Sequence, residues 1–84
     1  MYINNISQNL TDATDLVYDS IRKLEYCKKW TRDESHDYAQ NPEAQRRYVV
    51  LYHNLQERQH RLERILSDLE HEELACKRLS ELLS

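Results

Sequence analysis

The chain has 84 residues, 12 basic and 15 acidic, for a net charge of −3; that bounds it to one domain with a thin core and argues against nucleic-acid binding, which calls for a net basic face. It contains no glycine, one proline and no phenylalanine, so no residue takes positive φ without steric cost, which excludes tight β-hairpin turns and phosphate-cradling loops. The remainder is rich in Leu, Glu, Arg, Gln and Ala, all good helix formers, and the expected class is all-α.

Residues 1–10 are rich in Asn, Gln and Ser, with Ile3, Ile6 and Leu10 spaced by three and four. They read either as a frayed first turn or as a disordered arm that orders on binding. Thr11 is the expected N-cap of a first helix over 11–35, with Asp12 and Asp15 in its first turn, where negative charge suits the helix dipole. From there Leu10, Ala13, Val17, Ile21, Leu24 and Cys27 recur at helical spacing and form one stripe. Asp19 with Lys23 and Glu25 with Lys29 are i,i+4 pairs in the favoured order. The stripe weakens after Trp30, so the rest of 31–40 reads as a fraying end and a connection, with the turn at 36–41.

Asn41-Pro42-Glu43 is the strongest local signal. Asn is a good N-cap, Pro fits the first helical position, and the residue before Pro disfavours helix. A second helix is expected over 42–83. In it Tyr48, Leu55, Leu62, Leu69, Cys76 and Leu83 fall every seven residues, with Leu51, Arg58, Ile65, Glu72 and Leu79 as the companion row. This is a heptad seam with polar interruptions. The expected architecture is an antiparallel, coiled-coil-like two-helix hairpin whose second helix, roughly 60 Å long, exceeds a first helix of roughly 38 Å.

That mismatch carries the functional expectation. With the turn near residue 39, position i faces about position 78 minus i, so Leu10 reaches only to about Leu69. Beyond it Leu69, Leu74, Cys76, Leu79, Leu82 and Leu83 would form an apolar stripe without an intramolecular partner, and such a surface marks a docking site for another chain. The competing expectations are that Tyr2, Ile3 and Ile6 cover the stripe, or that it self-associates. Leu16 and Trp30 lie off the stripe and are further candidate partner-binding residues, since exposed aromatic and large apolar side chains anchor interfaces. By the same facing rule Cys27 lies opposite about residue 51, so Cys27 and Cys76 do not bridge and read as free thiols.

No chemistry is assembled. His53 and His60 are seven apart and lie away from the seam, no Cys or acidic residue completes a metal-ligand pair, and Ser35-His36-Asp37 in succession point apart. A hairpin two helices thick offers no pocket to shift a carboxylate's pKa. The reading is therefore a non-enzymatic binding protein with no metal and no cofactor. No apolar run spans a bilayer and the N-terminus shows no secretory signal, so the expected location is a bacterial cytoplasm.

The start of the second helix, Asn41-Pro42-Glu43-Ala44-Gln45-Arg46-Arg47-Tyr48-Val49-Val50-Leu51, followed by Leu55 and an apolar pattern to Leu66, resembles the YscE/SsaE/EscE family of type III secretion co-chaperones, as does the hairpin plan. The resemblance covers residues 10–66, and the charged stretch from Asp68 to Ser84 departs from the shorter members. It implies a TPR-like helical-repeat chaperone as partner and, through it, a needle subunit kept monomeric before export. The alternatives are a self-assembling hairpin, needle-like or homodimeric, and a small phage-type inhibitor acting through charge.

Overall fold

A run of 36 residues without glycine or proline has nothing to break a helix, and the computed structural model, which describes residues 2–84, carries one continuous helix across it. Helix α1 spans Tyr2–Asp37 and helix α2 spans Pro42–Leu83. The two pack antiparallel into a rod 65 Å long and 14 by 13 Å across. The all-α hairpin expected from composition is the observed fold.

The reversal needs no glycine. Ala39 N–H donates to His36 O (3.3 Å) and Asn41 N–H to Tyr38 O (2.9 Å), and no described residue has positive φ. Asn41 is extended (φ −120°, ψ 90°) and its Oδ1 accepts from Ala44 N–H at 3.2 Å, with Pro42 opening the helix behind it. The cap predicted from Asn-Pro-Glu is therefore in place. Two further contacts pin the turn: Tyr38 stacks on Tyr48 at 5.6 Å, and Gln45 Nε2 donates to Ser35 O at 3.3 Å. Asn41→Ala is expected to lower stability by about 1 kcal/mol, read as a shift of the urea midpoint with an unchanged slope.

Two expectations at the N-terminal end are corrected. Residues 2–10 are neither an arm nor a frayed turn; they are helical, and Thr11 lies inside α1 rather than capping it. The heptad explains why: Ile3, Leu10, Val17, Leu24 and Thr31 fall every seven residues and are all buried or half-buried. The packing stabilises those first three turns although their Asn, Ser and Gln content is only a modest helix former. At the other end α1 runs to Asp37, beyond the expected 35, with Thr31 and Ser35 still in the seam.

The register removes the bare overhang. Lys28 lies over the Tyr52 ring, Ser35 meets Gln45 and Cys76 meets Ile3, so the numbers of facing residues add to about 80, while the long Glu side chains reach further along the rod, Glu25 to Gln59 and Glu73 to Thr14. Tyr2 therefore reaches the level of Arg78, and only the last turn and a half, Leu79–Leu83, extends further. The second helix is the longer one, at 42 residues against 36, but by only about 9 Å.

The seam also uses a different companion row. Tyr48, Leu55, Leu62, Leu69 and Cys76 face α1 as expected, but their partners are Tyr52, Gln59, Leu66, Glu73 and Ser80, all buried or half-buried. Leu51, Arg58, Ile65, Glu72 and Leu79 are all exposed. The buried row brings polar groups into the interface. Gln59 Nε2 lies between the Glu25 and Glu63 carboxylates (3.3 and 3.0 Å), while its buried Oε1 has no partner. The Thr14 hydroxyl meets the Leu10 carbonyl and the Glu73 carboxylate. Thr14, Lys28 and Ser35 on α1 leave the core thin, and among the described residues no side chain is completely enclosed.

Candidate protein-binding face

With the seam set, each helix presents two flanks, and they differ in character. On one flank of the rod α1 contributes Ile6, Ala13 and Cys27 beside the seam, with Leu16 and Trp30 further out. α2 contributes Leu51, Ile65 and Leu79 at the same side, with Leu82 beyond; Arg58 and Glu72 alternate with the α2 residues, and Lys23 stands between Leu16 and Trp30. Cys27, Trp30, Leu51 and Leu55 line one shallow apolar depression, which fixes these residues as neighbours across the two helices. The opposite flank is polar: Ser7 and Thr11 adjoin Glu70, Glu73, Lys77 and Glu81. Near the turn this flank carries an apolar depression lined by Tyr48, Val49 and Tyr52, and Tyr18 and Leu74 are exposed apolar residues further along it.

The exposure on the apolar flank is large. Leu16 is 69% exposed, Trp30 62% and Leu82 82%. Trp30 is braced by Tyr26, whose ring stacks on it at 6.0 Å. An ordered, partly stacked Trp at the surface has already lost side-chain freedom, which lowers the cost of docking on it.

The eight residues expected to bind a partner divide accordingly. Leu16, Trp30, Leu79 and Leu82 lie together on the apolar flank. Leu74 is exposed but on the polar flank, and Leu83 is exposed at the end of the seam row. Leu69 and Cys76 are corrections: Leu69 is half-buried in the seam, and Cys76, 7% exposed, is covered by Ile3, whose carbonyl lies 4.0 Å from its Sγ. The N-terminal turns of α1 do the covering. Ile6, Leu51 and Ile65 belong to the face and were not among the expected residues, because Leu51 and Ile65 were placed in the seam. The spacing of Ile3, Leu10, Val17 and Leu24 is the signal that carries α1 back to residue 3.

The charges on the rod form short surface ladders. Asp19 pairs with Arg22 and Lys23 (2.9 and 3.0 Å), and its carboxyl is held below the usual range first by the Arg22 hydrogen bond and then by Lys23. The Asp19–Lys23 pair matches the sequence expectation; the Glu25 carboxylate takes the Gln59 amide. Glu63 is likewise lowered, chiefly by the hydrogen bond from Gln59 and then by His60. Such exposed pairs are screened and contribute little. Among the described residues no His/Cys/Asp/Glu group is arranged to hold a metal ion, and no helix is long and apolar enough to cross a membrane. Both cysteines are free thiols, Cys27 half-buried and Cys76 buried.

Compared with protein-family models, curated proteins and solved structures, the chain shows no match.

Proposed function

We propose that this chain is a protein-binding hairpin whose apolar flank is covered by another helical protein. One observation carries the reading: of the two rows that could accompany Tyr48, Leu55, Leu62 and Leu69 in the seam, the fold buries Tyr52, Gln59, Leu66, Glu73 and Ser80 and leaves Leu51, Arg58, Ile65, Glu72 and Leu79 outside. Three large aliphatic side chains, Leu51, Ile65 and Leu79, thus stay in water while Gln59 and Glu73 take places in the seam, and covering those three is favourable at about 25 cal/mol per Å². Aliphatic side chains kept in a row at the surface mark a docking surface.

The particular form of this function is a cytoplasmic bacterial co-chaperone that pairs with a TPR-like chaperone and, through it, holds a type III secretion needle subunit before export. The hairpin plan and the Asn41-Pro42 start of α2 support it. The experiment is co-expression of the full chain with the products of the genes that neighbour its own, followed by native mass measurement. A defined heteromeric complex supports the co-chaperone form, and its absence with every neighbouring product refutes it. In such a complex Leu79→Asp is expected to weaken binding tenfold or more, about 1.4 kcal/mol, while the free chain melts within the range of an ordinary surface substitution, about 0.5 kcal/mol. A large loss of free-chain stability instead makes Leu79 ordinary core.

A further inference from the structure

The exposed row of α2 reads Leu51, Arg58, Ile65, Glu72, Leu79 at intervals of seven. About Ile65 it is a palindrome in shape and an inversion in charge: Leu answers Leu, and Arg answers Glu at the same distance. The outer exposed row of α1 on this flank reads Tyr2, Asn9, Leu16, Lys23, Trp30. It is centred on Leu16, with an aromatic ring at each end. In the observed register Leu16 stands level with Ile65, Tyr2 with Leu79, and Trp30 with Leu51, so the two centres coincide.

From this pattern we infer that the apolar flank is the contact surface for a second copy of the chain, laid antiparallel across a two-fold axis at Ile65 and Leu16. The inference rests on the reading of this flank as a docking surface and names its occupant. Under that axis α2 lies on α2 and α1 on α1. Leu51 of one copy covers Leu79 of the other, Trp30 covers Tyr2, and Ile65 meets its own equivalent, as an isologous interface requires. Arg58 meets Glu72 twice, once on each side of the axis. Arg61, which also pairs with Glu57 on its own helix at 2.6 Å, and Asp68, one row further out, are related by the same axis to within one residue. Flanking charges of this kind set helix orientation in bundles.

Charge complementarity favours this arrangement over the other two-fold one. A parallel pairing about the long axis sets α1 of one copy on α2 of the other at equal levels. Lys23, already paired with Asp19, then faces Arg58, and Arg58 loses the Glu72 partner that the antiparallel pairing gives it. The apolar overlap runs from Tyr2 and Leu79 to Trp30 and Leu51, roughly 42 Å at the helical rise. With the 14 Å breadth of the rod and side chains projecting beyond it, each copy covers on the order of 700 Å², the scale of a standard stable interface. The product is a four-helix bundle, which encloses side chains that the single hairpin leaves half-exposed.

The test is sedimentation equilibrium on the full chain and three variants, with circular dichroism to confirm helicity. The wild type is expected as a reversible dimer of the 10.2 kDa chain. Arg58→Glu and Glu72→Arg are each expected to weaken dimerisation at least tenfold by placing like charges together twice. The double exchange, Arg58→Glu with Glu72→Arg, is expected to restore it to within about threefold of wild type. A monomer at several hundred micromolar overturns the inference, as does failure of the double exchange to rescue. If a helical partner still binds that monomer and Leu79→Asp abolishes the binding, the docking reading stands without the second copy. If the double exchange rescues dimerisation and no other protein binds, the flank is a self-association surface alone.

Discussion

Ile21→Asp is expected to unfold the free hairpin at room temperature. Ile21 is one of three buried apolar side chains among the described residues, with Ile3 and Cys76, and it lies near the middle of the rod. By the register it faces Gln59, whose Oε1 is already buried without a partner. A carboxylate there sits beside an unsatisfied acceptor, with the Glu25 and Glu63 carboxylates already drawn to the Gln59 amide. The substitution removes a buried apolar side chain and adds an unpaired charge, a combination that costs about 4 kcal/mol or more. A domain of this size holds on the order of 4–12 kcal/mol in total, and this one, with no completely enclosed side chain among the described residues, lies at the low end. Far-UV circular dichroism reads the result directly. A variant that keeps its helicity and melts within a few degrees of wild type shows that the middle of the seam carries little of the stability.

The second large effect is expected from deleting residues 2–10. The deletion removes Ile3 and Leu10 and uncovers Cys76 and Leu69. An unpartnered helix end frays, because helical stability in proteins comes mostly from packing of the apolar stripe. The segment Leu69–Leu83 should therefore melt with the deleted turns, and the ellipticity at 222 nm should fall by the equivalent of roughly two dozen residues rather than nine. Loss of nine residues' signal alone, with α2 intact to Leu83, means that the end of α2 stands without α1. A dimeric deletion variant separates the two effects, since a second copy on the flank also supports that end.

The deletion falls where sequence expectation and structure differ most, whereas Ile21 lies on the stripe that the sequence marks. The end of the second helix was expected to be the bare, client-holding part of the molecule, and it is instead roofed by the first helix. The error came from Asn4, Asn5, Ser7, Gln8 and Asn9, which look like an arm by composition. The apolar residues that decide the matter, Ile3 and Leu10, are only two, and their weight lies in continuing a seven-residue row. Similarly, Thr14, Thr31 and Ser35 are seam residues that a search for apolar side chains passes over. Leu16 and Trp30, by contrast, were legible as exposed apolar residues, because they fall off the stripe of a helix whose phase the sequence makes plain.

The sequence by itself determined that this protein is helical, that it turns once, and where the second helix starts. Those properties follow from local chemistry: the absence of glycine, the strength of Asn-Pro-Glu as a helix start, and a periodicity set by neighbours three and four apart. Only the tertiary structure decided how far back the first helix reaches and which row joins Tyr48, Leu55, Leu62 and Leu69 in the seam. A single helix allows the companion row at plus three or plus four with nearly equal ease. The choice is made by the opposing helix, whose Thr14, Ile21, Lys28 and Ser35 accommodate Gln59, Leu66 and Tyr52 at the levels where the register brings them together. That choice puts Leu51, Ile65 and Leu79 on the outside and gives the rod its apolar flank.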